Sequence, residues 1–169
     1  MISAAWLPVL VALTVLVGSL TLWCYFTAQR LNRLHIRLDR ARDQLEAALN
    51  RRAGVIAALH PELGSAAETA ESIELTYDHF AQRREAESAL MAEVEKATQA
   101  RSTARTEQRT GNQPKEIDHG AVLLADAAVR VNLAMRFYNQ AVQDTRLLRG
   151  RPLVRALRLS GNAPTPVYF

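Results

Sequence analysis

Charge is missing from the start of this chain. Residues 1–29 contain no Asp, Glu, Lys or Arg, and Arg30 is the first charged side chain. A cleaved signal peptide needs a basic segment before a shorter apolar core, and small residues at the cut. Neither is present, and Leu22-Trp23-Cys24-Tyr25 offers no small side chain. Bulky Trp23 ahead of Cys24 also argues against a lipoprotein anchor. Cys24 is the only cysteine, so no disulfide or cysteine-based metal site can form within one chain. Lysine is confined to Lys96 and Lys115; every other basic residue is Arg. The glycines are isolated, which leaves no Walker loop, no Gly-x-Ser-x-Gly and no dinucleotide fingerprint. His35, His60, His79 and His119 are scattered, with no i, i+4 pair and no His-Glu-x-x-His. The nearest approach to the Glu-x-x-His of a di-metal bundle, Glu116 to His119, falls at a helix start. No stretch alternates apolar and polar residues for long, so no sheet is expected. These gaps point away from an enzyme: no catalytic residue, cofactor, metal or small-molecule substrate is expected.

What is present begins with the apolar run Ala4 to Phe26. Its length of about 23 residues makes roughly 34 Å of helix, enough to span a bilayer with some tilt. Trp6 lies near one end, and Trp23, Tyr25 and Phe26 at the other, where aromatic rings anchor at headgroups. Arg30, Arg33 and Arg37 follow as basic interface anchors, then Arg40 and Arg42. Only the α-amino group faces them from the other flank, so the positive-inside rule places the N-terminus outside and residues 30–169 in the cytoplasm. The net charge is +4 and the pI about 9.7, with the excess after the anchor and near the C-terminus. That distribution fits an anionic inner leaflet. Nucleic acid is not expected as a partner, because the basic residues are not interleaved with aromatics or set in a reading motif.

From Leu31 the pattern is helical. Leu31, Leu34, Leu38, Ala41, Leu45, Ala48, Val55 and Leu59 form a heptad-like seam that includes one charged position, Arg52. No Pro or Gly interrupts residues 19–53, so the membrane helix is expected to run on to about His60. After the turn at His60-Pro61-Glu62-Leu63-Gly64, Ser65 and Glu68 read as a capping box opening a second helix. Its two apolar stripes, Ala66 to Phe80 and Ala86 to Ala97, are out of phase, which predicts a kink near Gln82 to Arg84. Glu85, Glu87, Glu93 and Glu95 read as a solvated face. Residues 101–116 read as a polar loop. Asp118 is a candidate cap for a third helix with the seam Leu124, Ala127, Val131, Ala134, Tyr138, Ala141 and Leu148, widened by Leu133 and Phe137. Gly150 and Pro152 are its stop signals.

The expected architecture is all-α: a single N-terminal transmembrane helix continuing into an antiparallel up-and-down bundle of three long helices. It divides into an anchor (1–29), a helical-bundle domain (30–150) and a basic, Pro-containing C-terminal tail (151–169). On this plan the loop with Arg101, Arg105, Arg109 and Lys115 returns to the membrane surface, and the Arg-rich tail sits at the far pole unless it folds back. The aromatic end of that tail, Val167-Tyr168-Phe169, either packs on the bundle or frays.

Two segments resemble the LemA family of membrane-anchored bacterial proteins. Arg37 to Leu59 is similar to a family stretch that ends in a Leu, a basic pair, an Ile and a Leu, here Leu49, Arg51, Arg52, Ile56 and Leu59. Ala134-Met-Arg-Phe-Tyr-Asn-Gln-Ala-Val142 is similar to its Ala-Arg, Tyr-Asn and Val pattern, and Glu85 to Leu90 resembles its middle helix. Ala53-Gly54 and Asp144-Thr145 depart from the family, which implies a divergent, actinobacterial-type branch. The resemblance implies a helical up-and-down bundle and no established enzymatic activity.

The polar positions Arg51, Arg52, Arg136, Tyr138 and Asn139 are the candidate contacts, either setting helix register or binding a partner. The expected function is that of a membrane-tethered scaffold or interaction protein with a protein partner in or at the membrane. An accessory subunit of a larger membrane complex is the alternative, and a metal-binding or enzymatic bundle a further one.

Overall fold

The structure is a computed structural model that describes residues 6–108 (the backbone alone at 104–108), 118–157 and 164–169. The described residues form five α-helices and no strand: α1 Trp6–Leu59, α2 Gly64–Ser72, α3 Phe80–Gln108, α4 His119–Arg149 and α5 Pro152–Ala156, with a 3₁₀ turn at Pro61–Leu63. The all-α expectation holds, with one long N-terminal helix packing against others.

The chain forms two compact units, Met1–Leu38 with Ala141–Pro166, and Asp39–Gln140 with Val167–Phe169. In the second unit the buried row on α1 is Ala41, Leu45, Leu49, Ala53 and Ile56, continued by His60 just past the helix end. Its steps of four, four, four, three and four average about 3.8, whereas a strict heptad seam averages 3.5 and requires supercoiling. The expected seam through Ala48, Arg52, Val55 and Leu59 is therefore rotated off the core. Ala53 takes the buried position and Arg52 flanks it.

Small side chains admit an extra layer here. Ala53 and Ile56 of α1, Ala67 and Ala70 of α2, and Leu90 and Val94 of α3 form one buried cluster. The turn into α2 departs from the capping-box expectation. Leu63 is the N-cap, with no side-chain cap bond, and the Gly64 N–H donates to Pro61 O. The 3₁₀ turn feeds straight into the helix, so Ser65 already lies inside it.

The break between the two stripes falls at residues 73–79 rather than at Gln82 to Arg84. Ile73 turns extended (φ −88°, ψ 105°), and α3 opens at Phe80. Short α2 is thus the segment that runs back. α3 then runs in the same direction as α1: Asn50 meets Arg83, Arg52 meets Glu87 and Leu59 meets Arg101. α4 runs opposite to both. Gly120 lies beside Leu59, where an added Cβ would come within 3.0 Å of Cδ2, and Tyr138 stacks on Phe80 at 5.6 Å. Asp118 caps α4 as expected, its Oδ1 accepting from the N–H groups of Gly120 (3.1 Å) and Ala121 (3.2 Å).

This course corrects the loop placement. Arg101 donates to Leu59 O (2.9 Å) and pairs with Glu62 (3.1 Å), at the end of α1 opposite its apolar half. Arg105 is in α3, which runs on to Gln108 in place of the expected loop; its side chain, and Arg109 and Lys115, lie outside the described residues. Leu133 and Phe137 do not widen the buried face of α4; each is 52 % exposed.

The first unit holds the apolar half of α1. None of its most apolar 18-residue window is buried, and the helix is long and apolar enough to cross a membrane. Its threonines are satisfied internally: Thr14 Oγ1 donates to Leu10 O (2.6 Å) and Thr21 Oγ1 to Val17 O (2.8 Å). Beyond it Leu31 packs with Leu148 and Val154, and Arg37 lies 3.9 Å from Asp144. The end of α4 and α5 therefore sit against α1 just past its apolar half. The expected position of the basic tail at the far pole is overturned, because the reversal made by α2 sends α4 back.

Candidate functional site

α3 builds its inner row on a three-four rhythm: Phe80, Arg83, Glu87, Leu90 and Val94 are all buried. Two of these five are charged. Arg83 is fully buried, and each of its three guanidinium nitrogens finds an acceptor. Nε donates to Glu87 Oε1 (3.1 Å), and Nη2 donates to Asn50 Oδ1 (2.6 Å) and lies 2.9 Å from the same Glu87 oxygen as its ion partner. Nη1 donates to Glu71 O (3.2 Å) and Ile73 O (2.7 Å), closing the C-terminal end of α2. Glu87 Oε2 accepts from Arg52 Nη2 at 2.7 Å. Arg52, expected on the seam, thus finds the carboxylate that a half-buried guanidinium requires, while its buried Nε has no partner among the described residues. Glu87 does not belong to the solvated face; Glu85, Glu93 and Glu95 do. Arg83, Glu87 and Asn50 were not candidates in the sequence. Their readable signal was an opposite-charge i, i+4 pair set inside an apolar three-four row.

Tyr138 and Asn139 form a second constellation, which holds an extended segment rather than another helix. Tyr138 is buried and donates from its hydroxyl to Val167 O at 2.8 Å. Asn139 reads Phe169 as a backbone would: Oδ1 accepts its N–H (3.0 Å), and Nδ2 donates to its carbonyl (3.4 Å). The Phe169 ring lies edge-on to Phe80 at 5.4 Å. The aromatic end of the tail is therefore packed. In the other unit, Arg146 Nε donates to Pro166 O and Arg149 Nη1 to Pro164 O, both at 2.8 Å.

The remaining candidates are on the surface. Arg51 is exposed, and its charge helps hold the Asp126 carboxyl below its ordinary value; the main cause there is the hydrogen bond from Arg130. Arg136 is exposed on the outer side of α4. Beside it runs an apolar stripe, Val122, Val129, Leu133 and Phe137, on the face opposite the buried row. Trp6, Tyr25, Arg30, Arg33 and Arg37 are exposed along α1, and Trp23 is 37 % exposed.

A groove of about 480 Å³ opens beside Leu59, Gly120, Leu124 and Ala128. The polar atoms at its rim already serve the helix ends. His60 Nδ1 lies 3.2 Å from Glu62, Ser102 Oγ donates to Gln99 O, and Asp118 caps α4. The Glu62 carboxyl is held below its ordinary value, first by its own backbone N–H and then, against some desolvation, by His60 and Arg101. Among the described residues no group of three or more His, Cys, Asp or Glu side chains is placed to hold a metal ion.

No protein-family model, curated protein or solved structure matches this chain. The fold that stands on its own geometry is an all-helical one. Its buried polar groups brace helix ends and an extended segment, and large apolar groups point outward on α1, α4 and α5.

Proposed function

We propose that the chain is a single-pass, membrane-anchored helical interaction protein of the LemA type, which works by binding a protein partner rather than by catalysis. The observation that carries this reading is the outer stripe of α4. Four large apolar side chains, Val122, Val129, Leu133 and Phe137, line one exposed face and are bordered by Arg136 and the Asp126–Arg130 ion pair (2.8 Å). An apolar stripe with a charged border is how a helix docks against another helix or into a groove. The tether rests on the first half of α1, whose apolar side chains from Trp6 to Phe26 are exposed all round and need a non-aqueous surround. The arginines from Arg30 onward favour a cell membrane with the N-terminus outside and the bundle in the cytoplasm, next to an anionic inner leaflet.

The test is in-cell cross-linking of the full-length protein, capture in mild detergent and mass spectrometry, run beside Val129→Glu/Leu133→Glu. One or a few membrane proteins captured in fixed stoichiometry, and lost in the variant, support the reading. Recovery of the chain and lipid alone sinks it. Fixed stoichiometry that survives purification would mark an accessory subunit of a larger complex. Orientation is checked with a reporter fused after Phe169, which should be active in the cytoplasm.

A further inference from the structure

Two basic segments that lie more than a hundred residues apart in sequence fold into one unit. Met1–Leu38 and Ala141–Pro166 together carry eight arginines and a single acidic residue, Asp144, a net charge of +7. The other unit carries thirteen basic and sixteen acidic residues, a net charge of −3. In the basic unit Asp144 is taken by Arg37, and Arg146 and Arg149 donate to the carbonyls of Pro166 and Pro164. The guanidinium groups of Arg30, Arg33, Arg151 and Arg155 make no hydrogen bond or ion pair among the described residues.

Two of these free guanidinium groups share a cavity. A space of about 240 Å³ is lined by Trp23, Phe26, Thr27, Arg30, Leu148 and Arg151, with Val154 closing it. It lies on α1 where the apolar side chains end: Phe26 is 65 % exposed, and Arg30 follows one turn later. α5 forms its other wall. Pro152 starts that helix and Val154 is buried against Leu31 and Leu148, while Leu153 and Leu157 turn outward, 59 % and 42 % exposed. The cavity thus has cations at one side and aromatic and aliphatic surface at the other.

The geometry points to a binding site for an anionic phospholipid, its phosphate held between Arg30 and Arg151 and its acyl chains laid along Trp23, Phe26 and the outward leucines of α5. Guanidinium forks match a phosphate oxygen pair. Continuity with the apolar half of α1 selects a bilayer lipid as the occupant. The inference rests on the reading that this half of α1 spans a membrane.

Trp6 and Trp23 are the only tryptophans, which supplies the assay. Full-length Trp6→Phe, with Trp23 as sole fluorophore, is reconstituted in phosphatidylcholine nanodiscs. These contain equal mole fractions of either acyl-brominated phosphatidylglycerol or acyl-brominated phosphatidylcholine. The expected result is a preference of Trp23 for the anionic quencher of roughly tenfold, weakened by salt and reduced to near parity in Arg30→Gln/Arg151→Gln. Arg30→Lys/Arg151→Lys, which keeps both charges, retains most of the preference. Equal quenching by the two lipids, or a preference unaffected by the glutamine variant, overturns the site. Inorganic phosphate added to nanodiscs without anionic lipid should leave Trp23 emission unchanged; a response there with no lipid preference also overturns it. The underlying membrane reading has its own arm. In Trp23→Phe, the remaining Trp6 must be quenched by acyl-brominated lipid of either headgroup, and if it is not, the span itself fails.

Discussion

Replacing Arg83 with Ala should be the most damaging single polar substitution in the bundle. The side chain is fully buried and its guanidinium reaches four acceptor atoms on three segments: Glu87 Oε1, Asn50 Oδ1, and the carbonyls of Glu71 and Ile73. Truncation takes the donor from two part-buried carbonyls and an amide oxygen, and leaves the buried Glu87 with Arg52 alone. Each unsatisfied group costs about 1–3 kcal/mol, and breaking a buried ion pair costs about 3–5 kcal/mol; the terms overlap, so about 4 kcal/mol is expected. For a chain of this size that lowers Tm by roughly 8–16 °C, read by circular dichroism of the full-length protein in micelles. Arg83→Lys supplies a point charge with three donors and cannot serve every partner, so it should lose about 2 kcal/mol. Arg83→Met/Glu87→Leu removes both charges and should lose less than the two single changes combined. An Arg83→Ala protein within about 1 kcal/mol of the parent would refute the idea that this network ties α1, α2 and α3 together.

Other outcomes follow from the same geometry. Asn139→Ala should release the extended segment, seen as faster hydrogen exchange at the Phe169 amide, while Tyr138→Phe, which loses only the bond to Val167 O, should cost about 1 kcal/mol. Leu133→Glu on the outer face of α4 should change stability by no more than about 0.5 kcal/mol; a large loss of Tm would show that the stripe is covered within the chain. The depressed Glu62 carboxyl favours the folded state above its unfolded pKa, and that contribution is lost as pH falls through the lower folded value. An NMR titration should find its midpoint below that of an unpaired glutamate and raised by Arg101→Ala; an unshifted midpoint would remove Arg101 from the contact.

The elements were legible where local chemistry decides them. The apolar run, the end of α1 near His60, the Asp118 cap and the stop at Gly150-Pro152 follow from side-chain transfer preference, backbone capping and the missing proline N–H. The out-of-phase stripes correctly announced a break, but not its position. Arg83 interrupts the apolar row in sequence, yet in space it is what seals the break, by binding the carbonyls of Glu71 and Ile73. The Tyr138-Asn139 pair stood out as polar on an apolar face, but its partner is an extended segment with no periodicity to announce it.

The sequence alone determined that the chain is helical, that one end carries an apolar helix of membrane-spanning length, and that its arginines crowd two stretches. Periodicity, hydropathy and charge are local properties and need no knowledge of what packs where. Only the tertiary structure decided direction. Short α2 reverses the chain, α3 runs with α1, and α4 returns, so that Arg151 shares a cavity with Arg30 and Glu87 is drawn into the core between Arg52 and Arg83. Those outcomes depend on the register between helices. That register is fixed by alanine-sized contacts and buried ion pairs between residues that no local pattern links.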